Sequence, residues 1–504
     1  MESFGRILRS RYFWLLFAAG VVFLYFFGLT IPLLGPDEPR YAQVAREMFQ
    51  RGDWVTTQLG GHNWFEKPAL LYWLQISSFH LFGTNEFAAR FGSAVFGLGT
   101  IFSLYIFGML ASENEQAEPF EYYLPMIAAT SLGLVVFSRG ASFDIILTFP
   151  ITAALVGYFA FDRSGEDSYR RSIGLIVFYF FVGVAILAKG LVGIVFPFAI
   201  VSFYLLLSLR WPSRSLLLSL LWGLPVTVAV AATWYLPMYL ANGAEFIDEF
   251  FIQHHFQRYT SNKYLHPQPF HFFFWVLPLM TIPWLPFFFA EVWRLLKHGV
   301  EQWRKRPSGN DKGETKNPAI VFAAAWLLVP LVFFSFSGSK LPGYILPAVP
   351  AAVILAGYAV YRYALGSFRR EIIVKSIAVS TLVVVGGIIQ FALPGFADVD
   401  SVKRLISEAD ARGYQEAKVI GFTTVSHNAE WYAAGRLYRD SDGKQMRLNG
   451  PADIPPLLAA NGGKPILVLS RPDLLHHIEN ETKLKTDRIA DNGEFVIAAV
   501  SLGR

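Results

Sequence analysis

The sequence predicts an all-α, polytopic membrane protein with a small α/β domain in its C-terminal part. Of its 504 residues, 54% are hydrophobic and only 16% are charged, and the mean hydropathy is +0.39. A soluble domain of this size could not bury so much apolar surface. The apolar residues are gathered in stretches of about 17–25, the length with which an α-helix crosses the hydrocarbon core of a bilayer. From about residue 395 onward the composition becomes that of an ordinary soluble protein.

Basic residues in alternate short loops set the orientation of the chain, because such loops stay in the cytoplasm. They give one topology of about eleven spans, with the N-terminus in the cytoplasm and the C-terminus outside. The expected spans are 12–34, 92–111, 122–139, 145–161, 172–188, 191–209, 215–238, 270–293, 318–337, 345–361 and 374–393. The first is expected to remain as an anchor, since its apolar run continues past Ala18 and Ala19 instead of ending at a cleavage site.

The first outward loop, residues 35–91, is too hydrophobic to be a free linker. Within it, Pro39 to Gln50 has apolar residues on one side of a helix, and Ala69 to Phe82 is rich in aromatic residues. We expect the first segment to lie along the membrane surface, and the second to be interfacial or re-entrant. This loop belongs to the predicted transmembrane catalytic domain, residues 1–394.

Residues 395–504 are expected to form a soluble α/β domain on the outer, periplasmic side. Strand-like runs occur at Lys418–Phe422, Pro465–Leu469 and Phe495–Val500, and Val402–Arg412 is helix-like. The chain has no cysteine, so neither a disulfide nor a thiol nucleophile is available. The net charge of +5 says little by itself. No nucleic-acid partner is expected.

Charged residues stand where several spans meet the outer surface. Asp37 and Glu38 come where the chain leaves the lipid, although an acidic residue ahead of Pro39 is also a good start for a helix. Glu66 and Lys67 are adjacent opposite charges, which at a membrane surface are most often a solvated pair or a contact with lipid headgroups. Three further residues at span ends are either functional or reach toward the interface, namely Asp144, Lys189 and Lys340.

A third outward segment, 241–269, carries His254, His255 and Arg258. Two histidines and an arginine near external carboxylates can bind a cation or a phosphate. Their spacing is not that of a closed metal motif, so a structural role for the histidines stays open.

Four motifs occur in order along the chain, namely Asp37 to Tyr41, Phe65 to Pro68, His255 to Tyr259 and Ser339 to Pro347. Together they resemble the aminoarabinose transferases of lipid A and, more widely, the dolichyl-phosphate-mannose protein mannosyltransferases. The resemblance implies the type C glycosyltransferase (GT-C) fold, in which a membrane helix bundle carries the active site on its outer face. It also implies a polyprenyl-phosphate sugar as donor. The C-terminal part departs most from that family.

The same resemblance implies roles for individual residues. Asp37 would lie at the reacting centre, and Asp144 matches a further carboxylate of the family. It places Lys67, Arg258, Lys340 and Tyr344 along the donor phosphate site. Further candidates for substrate binding are Glu38, Tyr41 and Lys189. By the same likeness, Glu66 and His255 would hold a divalent metal such as zinc.

These residue types suit transfer from a lipid-phosphate sugar. Fixed cations lower the barrier as charge grows on the leaving phosphate, and no general acid is needed. A hydroxyl acceptor would need Asp37 as base for an inverting displacement, whereas a lipid A phosphate is already ionised and would not. The sequence leaves the acceptor open between lipid A, another envelope glycan and protein. The chain has no glycine-rich phosphate loop of the kind that binds nucleotides.

Two other classes of protein share some of these features. A transporter or flippase also has many spans with ionisable residues, but it would place them near the bilayer midplane instead of at the outer helix ends. A membrane-bound binding protein could recruit partners through its C-terminal domain, yet the charged motifs lie outside that domain. We therefore expect a multi-pass bacterial inner-membrane glycosyltransferase with its active site in the periplasm.

Overall fold

The computed structural model describes residues 11–112, 120–165, 167–250, 267–304, 317–482 and 484–502. Its α-helices are α1 (Arg11–Phe26), α2 (Asp37–Arg51), α3 (Leu70–Phe82), α4 (Glu86–Ala111), α5 (Phe120–Thr130), α6 (Leu132–Ser138), α7 (Phe143–Arg163), α8 (Ser168–Lys189), α9 (Val192–Leu207), α10 (Arg214–Ile247), α11 (Phe272–Leu279), α12 (Leu285–Arg304), α13 (Pro318–Ser335), α14 (Val349–Ala364), α15 (Phe368–Gly387), α16 (Leu393–Asp400), α17 (Lys403–Ala411), α18 (Ala429–Tyr432), α19 (Ile454–Ala460) and α20 (Leu475–Glu481). Its strands are β1 (Gln58–Leu59), β2 (His62–Asn63), β3 (Val419–Phe422), β4 (Arg447–Leu448), β5 (Ile466–Ser470), β6 (Leu484–Asp491) and β7 (Val496–Leu502).

The chain forms two compact units, each made of several chain segments. The first, which we call the helical unit, contains residues 1–27, 65–71 and 92–386. The second, which we call the mixed unit, contains residues 28–64, 72–91 and 387–504. Most of the first outward loop is thus grouped with the C-terminal domain, whereas the sequence suggested that it belongs with the membrane helices.

Each of the eleven expected spans overlaps a helix. Among the described residues, seven helical segments are long and apolar enough to cross a membrane, or eight if α5 and α6, which meet at 60°, count as one. The expected span 270–293 is interrupted, because α11 ends at Leu279 and α12 begins only at Leu285. The chain is therefore a multi-pass membrane protein by the length and composition of its helices.

Close helix packing in the helical unit depends on small residues. A Cβ on Gly157 of α7 would lie 2.8 Å from the Gly174 carbonyl oxygen of α8, and one on Gly174 would lie 2.7 Å from that of Gly157. Glycine at both positions lets the two backbones touch, as is common between membrane helices. The segment Pro342–Ala364 is almost wholly buried, which makes it the centre of this packing.

A five-stranded sheet of order β4-β3-β5-β7-β6 is the core of the mixed unit. Strand β3 pairs in parallel with β4 and β5, and β7 pairs antiparallel with β5 and β6. Alternate strand residues point to opposite faces, so one face packs with α17 and α18 and the other with α19 and α20. The expected strands β3, β5 and β7 and the helix α17 are all present within two residues of their predicted bounds, whereas β4 and β6 were not predicted.

Helix α2 confirms the helix expected at Pro39 to Gln50, and its apolar side is buried, including Tyr41, Val44 and Met48. Protein covers that side, since α2 packs against α18. The Arg46 guanidinium stacks over the Trp431 ring at 4.0 Å and donates a hydrogen bond to the Trp431 carbonyl at 2.6 Å. The amphipathic pattern that suggested a membrane-surface helix is explained within the mixed unit by burial against protein.

Candidate active site

Asp37 is the first residue of α2 in the mixed unit. Its side chain is half exposed and forms an ion pair with Arg40, one turn further along the same helix. Arg40 also donates to the Pro36 carbonyl at 3.0 Å. A carboxylate at a helix N-terminus is favoured by the helix dipole, and a half-exposed one remains accessible to a substrate.

Glu38, in contrast, is held by a buried arginine. The Arg90 guanidinium, 2% exposed, contacts the Glu38 carboxylate at 2.5 Å and 3.2 Å. It also donates to the carbonyls of Leu29, Ile31 and Pro32 at 3.0, 2.6 and 2.8 Å. The Glu38 carboxylate also accepts a hydrogen bond from the Leu34 N–H at 2.8 Å. These contacts favour a structural role for Glu38 over the substrate contact expected from sequence.

Arg90→Met is expected to destabilise the mixed unit by about 3–5 kcal/mol, because it leaves the Glu38 carboxylate and three carbonyls without their common donor. Thermal unfolding of the purified protein measures the change. The matched control is Arg471→Met, which removes an exposed pair with Asp473 at 3.2 Å and should cost less than about 1 kcal/mol. Equal melting temperatures for the two variants would contradict this role of Arg90.

Tyr41 is buried, with its ring 6.5 Å from that of Tyr72 in an edge contact. Within the mixed unit its ring helps to fix α2 against α3. The substrate contact expected for Tyr41 stays a prediction.

His427 was not singled out from the sequence, yet it lies near Asp37 and Arg40 in the mixed unit. Burial lowers the pKa of His427 below its ordinary value of 6.5, and the Arg40 charge lowers it further, while Asp37 opposes both. A histidine with a lowered pKa stays neutral at pH 7. Nothing in the local sequence of His427 could have indicated that neighbourhood.

The lowered pKa of His427 predicts a pH effect on stability. Below pH 6.5 an unfolded chain binds a proton at this position more readily than the folded one, so stability should fall as the pH drops from about 6.5 through the folded pKa. His427→Gln should remove this part of the dependence. Melting temperatures at pH 5.0 and 7.5 test it, and an unchanged difference between the two pH values in the variant would contradict it.

In the helical unit, a cluster of three expected residues forms where α7 begins and α8 ends. Only four residues separate the end of α7 from the start of α8, so the two helices run antiparallel. The start of α7 therefore lies beside the end of α8. Ser142 caps α7 by accepting from the Asp144 N–H at 3.1 Å. Asp144 forms an ion pair with Lys189, the last residue of α8. The helix dipole stabilises both a negative side chain at the start of a helix and a positive one at its end.

Tyr344 completes this cluster from the short 3₁₀ helix Pro342–Ala348. The Lys189 ammonium lies 4.8 Å from the centre of the Tyr344 ring, within range of a cation–π contact. A Cβ on Gly343 would lie 1.9 Å from a carboxylate oxygen of Asp144. Glycine at 343 is therefore what lets the backbone approach Asp144, and the structure brings Asp144, Lys189 and Tyr344 together.

Lys340 lies in the turn between α13 and the 3₁₀ helix and is only 6% exposed. Its ammonium donates to the carbonyls of Ser337 at 2.7 Å and Gln268 at 3.0 Å. No carboxylate among the described residues pairs with it. Burial lowers the pKa of Lys340 below its ordinary value. An ammonium buried without a counter-anion is costly, and an anion bound beside it would relieve that cost.

Glu66 and Lys67 form an ion pair at 2.8 Å, and both side chains are about nine-tenths buried. The pair is thus not the solvated one that its sequence favours. His255 and Arg258 lie outside the described residues. Within the described ranges no group of three or more histidine, aspartate or glutamate side chains could hold a metal ion. Zinc at Glu66 and His255 therefore stays a prediction.

This chain is similar to several known membrane glycosyltransferases. A family model described as dolichyl-phosphate-mannose-protein mannosyltransferase matches residues 12–248. The undecaprenyl phosphate-alpha-4-amino-4-deoxy-L-arabinose arabinosyl transferase of Serratia proteamaculans is 31% identical over 353 residues, which cover 67% of this chain and 59% of the relative. The corresponding transferase of Aeromonas hydrophila is 30% identical, with coverage of 68% and 59%. The chain thus spans less than two thirds of the length of these relatives.

Two solved structures share the fold. ArnT from Cupriavidus metallidurans bound to undecaprenyl phosphate is 22% identical, has a TM-score of 0.75 and matches 97% of this chain and 98% of its own. The archaeal oligosaccharyltransferase AglB from Archaeoglobus fulgidus is 13% identical, with a TM-score of 0.51 and coverage of 97% and 74%. The chain has the GT-C fold, and the resemblance carried by its four motifs is confirmed.

Proposed function

We propose that this protein is an inverting glycosyltransferase that moves a sugar from a polyprenyl phosphate to lipid A or another envelope acceptor. The relatives named for undecaprenyl-phosphate aminoarabinose transfer support the donor class. The observation that carries the proposal is Lys340, a buried ammonium whose partners in the described chain are two carbonyls. A donor phosphate is the anion that such a group can bind.

The leaving group of this reaction is the polyprenyl phosphate, whose charge grows as the bond to the sugar breaks. Cations fixed beside it lower the barrier without any proton transfer. Under the proposal Lys340 supplies such a charge, and Lys67 and Arg258 add to it. Asp144 holds Lys189 in place through their ion pair, so that the Lys189 ammonium is fixed against the Tyr344 ring.

Asp37 is the proposed catalytic carboxylate, and the acceptor decides its role. A sugar, serine or threonine hydroxyl must lose its proton as it attacks, and Asp37 can accept that proton. A lipid A phosphate needs no base, so Asp37 would then orient its surroundings and balance positive charge. Its half-exposed carboxylate, with Arg40 as partner, is compatible with either role.

The proposal includes a topology of eleven crossings, with the N-terminus in the cytoplasm and the active site and C-terminal domain in the periplasm. The absence of cysteine from the chain makes this directly testable. We expect an impermeant maleimide to label Ser441→Cys in intact spheroplasts, and to label Ser168→Cys only after lysis. The reverse pattern would contradict the topology.

Metal analysis of the purified protein tests the proposed zinc at Glu66 and His255.

The test of the function is mass spectrometry of lipid A and of total envelope glycans from cells with and without the protein. A sugar on lipid A that depends on the protein would support lipid A as acceptor. A sugar missing instead from protein or another glycan would keep the donor and move the acceptor to a hydroxyl. No difference in any envelope glycoconjugate, together with no turnover of a polyprenyl-phosphate sugar in vitro, would overturn the proposal and leave transport as the rival.

A further inference from the structure

We propose that three side chains of the C-terminal domain, Asp400, Asn428 and Tyr432, position the segment that presents Asp37, and so act as positioning residues for transfer. The inference rests on the proposed catalytic role of Asp37. It gives a role to the C-terminal domain, which contains none of the four motifs. All the residues concerned belong to the mixed unit.

The segment in question is residues 33–35, two residues ahead of Asp37. The Leu33 N–H donates to the Tyr432 hydroxyl at 2.8 Å, and the Gly35 N–H donates to the Asp400 carboxylate at 2.7 Å. The Asn428 amide donates to the Gly35 carbonyl at 3.4 Å and to the Asp400 carbonyl at 3.2 Å. Side chains more than 360 positions away thus bind three backbone groups of one short segment.

This segment belongs to no helix or strand, so its backbone groups need partners from elsewhere. Between Leu29 and Gly35, side chains of Arg90 and Glu38 take further carbonyl and N–H groups. Gly35 has a φ of +59°, a conformation that few residues other than glycine adopt. These hydrogen bonds therefore fix the path by which the chain enters α2, and Asp37 is the first residue of that helix.

Other side chains of the mixed unit in turn hold the chain around Asp400 and the hydroxyl of Tyr432. The Asn492 side-chain amide donates to the carbonyls of Asp398, Val399 and Ser401, each at 3.0 Å, which fixes the chain around Asp400. The Tyr432 hydroxyl donates to Glu86 at 3.2 Å, and Lys403 binds the same oxygen at 2.6 Å. A supporting shell of this kind is what keeps a catalytic group within a fraction of an ångström of its working place.

Loss of the positioning contacts should reduce turnover more than binding. A displacement of about 1 Å at a reacting group can cost on the order of a hundredfold in rate. We expect Tyr432→Phe and Asp400→Ala to lower kcat about tenfold or more, with KM for the donor nearly unchanged. Asp400→Asn keeps an acceptor oxygen for the Gly35 N–H and should retain most of the turnover.

The experiment uses the full-length protein in lipid nanodiscs. Its control is Asp410→Ala, which removes an ion pair with Arg436 at 2.7 Å in the same domain. Transfer kinetics, melting temperature and hydrogen exchange of the peptide that covers residues 28–41 are measured for every variant. We expect faster exchange of that peptide in Tyr432→Phe and Asp400→Ala, and the wild-type rate in Asp410→Ala at a similar loss of melting temperature.

Wild-type exchange and kcat in Tyr432→Phe and Asp400→Ala would overturn the inference, even if the wild type is active and Asp37→Ala is not. Loss of kcat in Asp410→Ala as large as in Asp400→Ala would also overturn it, since a general loss of stability would then explain both. If the wild type shows no transfer, the proposed function fails. The exchange result then decides by itself whether these side chains hold the segment.

Discussion

Asp37→Ala is expected to abolish measurable transfer while the protein remains folded and inserted in the membrane. Asp37 follows a fixed segment of chain and keeps its carboxylate half exposed beside Arg40. If it removes a proton from a hydroxyl acceptor, its loss should reduce kcat by about 10²–10⁴-fold. The measurement is transfer from a polyprenyl-phosphate sugar by purified protein, with thermal unfolding to show that the variant is folded.

Paired amide substitutions sharpen this test. Asp37→Asn keeps the size of the side chain and removes its charge, and Asp53→Asn does the same at a carboxylate of the same unit that binds the N–H groups of Val55 and Thr56. We expect transfer to be lost only in the first variant. Full activity of Asp37→Asn or Asp37→Ala would refute the assignment of the site.

The helices and the strands of the core could be predicted from sequence because their signals are local. An apolar run of sufficient length is needed for each membrane helix, and three of the five strands of the large sheet are buried runs between turn-forming residues. The grouping of the first outward loop with the C-terminal domain could not be predicted. It depends on contacts such as that of Arg46 with Trp431, which join residues 385 positions apart.

The same distinction applies to the candidate site. The sequence predicts Asp144, Lys189 and Tyr344 as site residues, and they meet in the structure because short loops and helix ends bring them to one place. The sequence predicts Glu38 as a site residue together with its neighbour Asp37, but in the structure Glu38 pairs with Arg90, which lies in none of the motifs. His427 and Asp400 likewise lie in stretches of ordinary composition. Only the folded chain places them beside the residues that a motif can identify.

Lys340→Ala is expected to weaken use of the donor much more than use of the acceptor. The ammonium is buried with two carbonyl partners and no carboxylate in the described chain, so the charge that it can offer to a phosphate is not already neutralised. A hydrogen bond to a charged group contributes about 1.5–3 kcal/mol, so kcat/KM for the donor should fall about 10- to 100-fold. Kinetics with each substrate varied in turn would measure the two effects separately.

Lys375→Ala is the matched control for this variant. Lys375 is also a buried lysine of the helical unit, 1% exposed, but Glu371 pairs with it at 2.6 Å. Its removal should lower the melting temperature without any preferential effect on the donor. Among the described residues Lys340 has no such carboxylate, so an anion bound beside it would balance its charge. Equal loss of kcat/KM for donor and acceptor in Lys340→Ala would mean that Lys340 serves the fold and that the donor phosphate binds elsewhere.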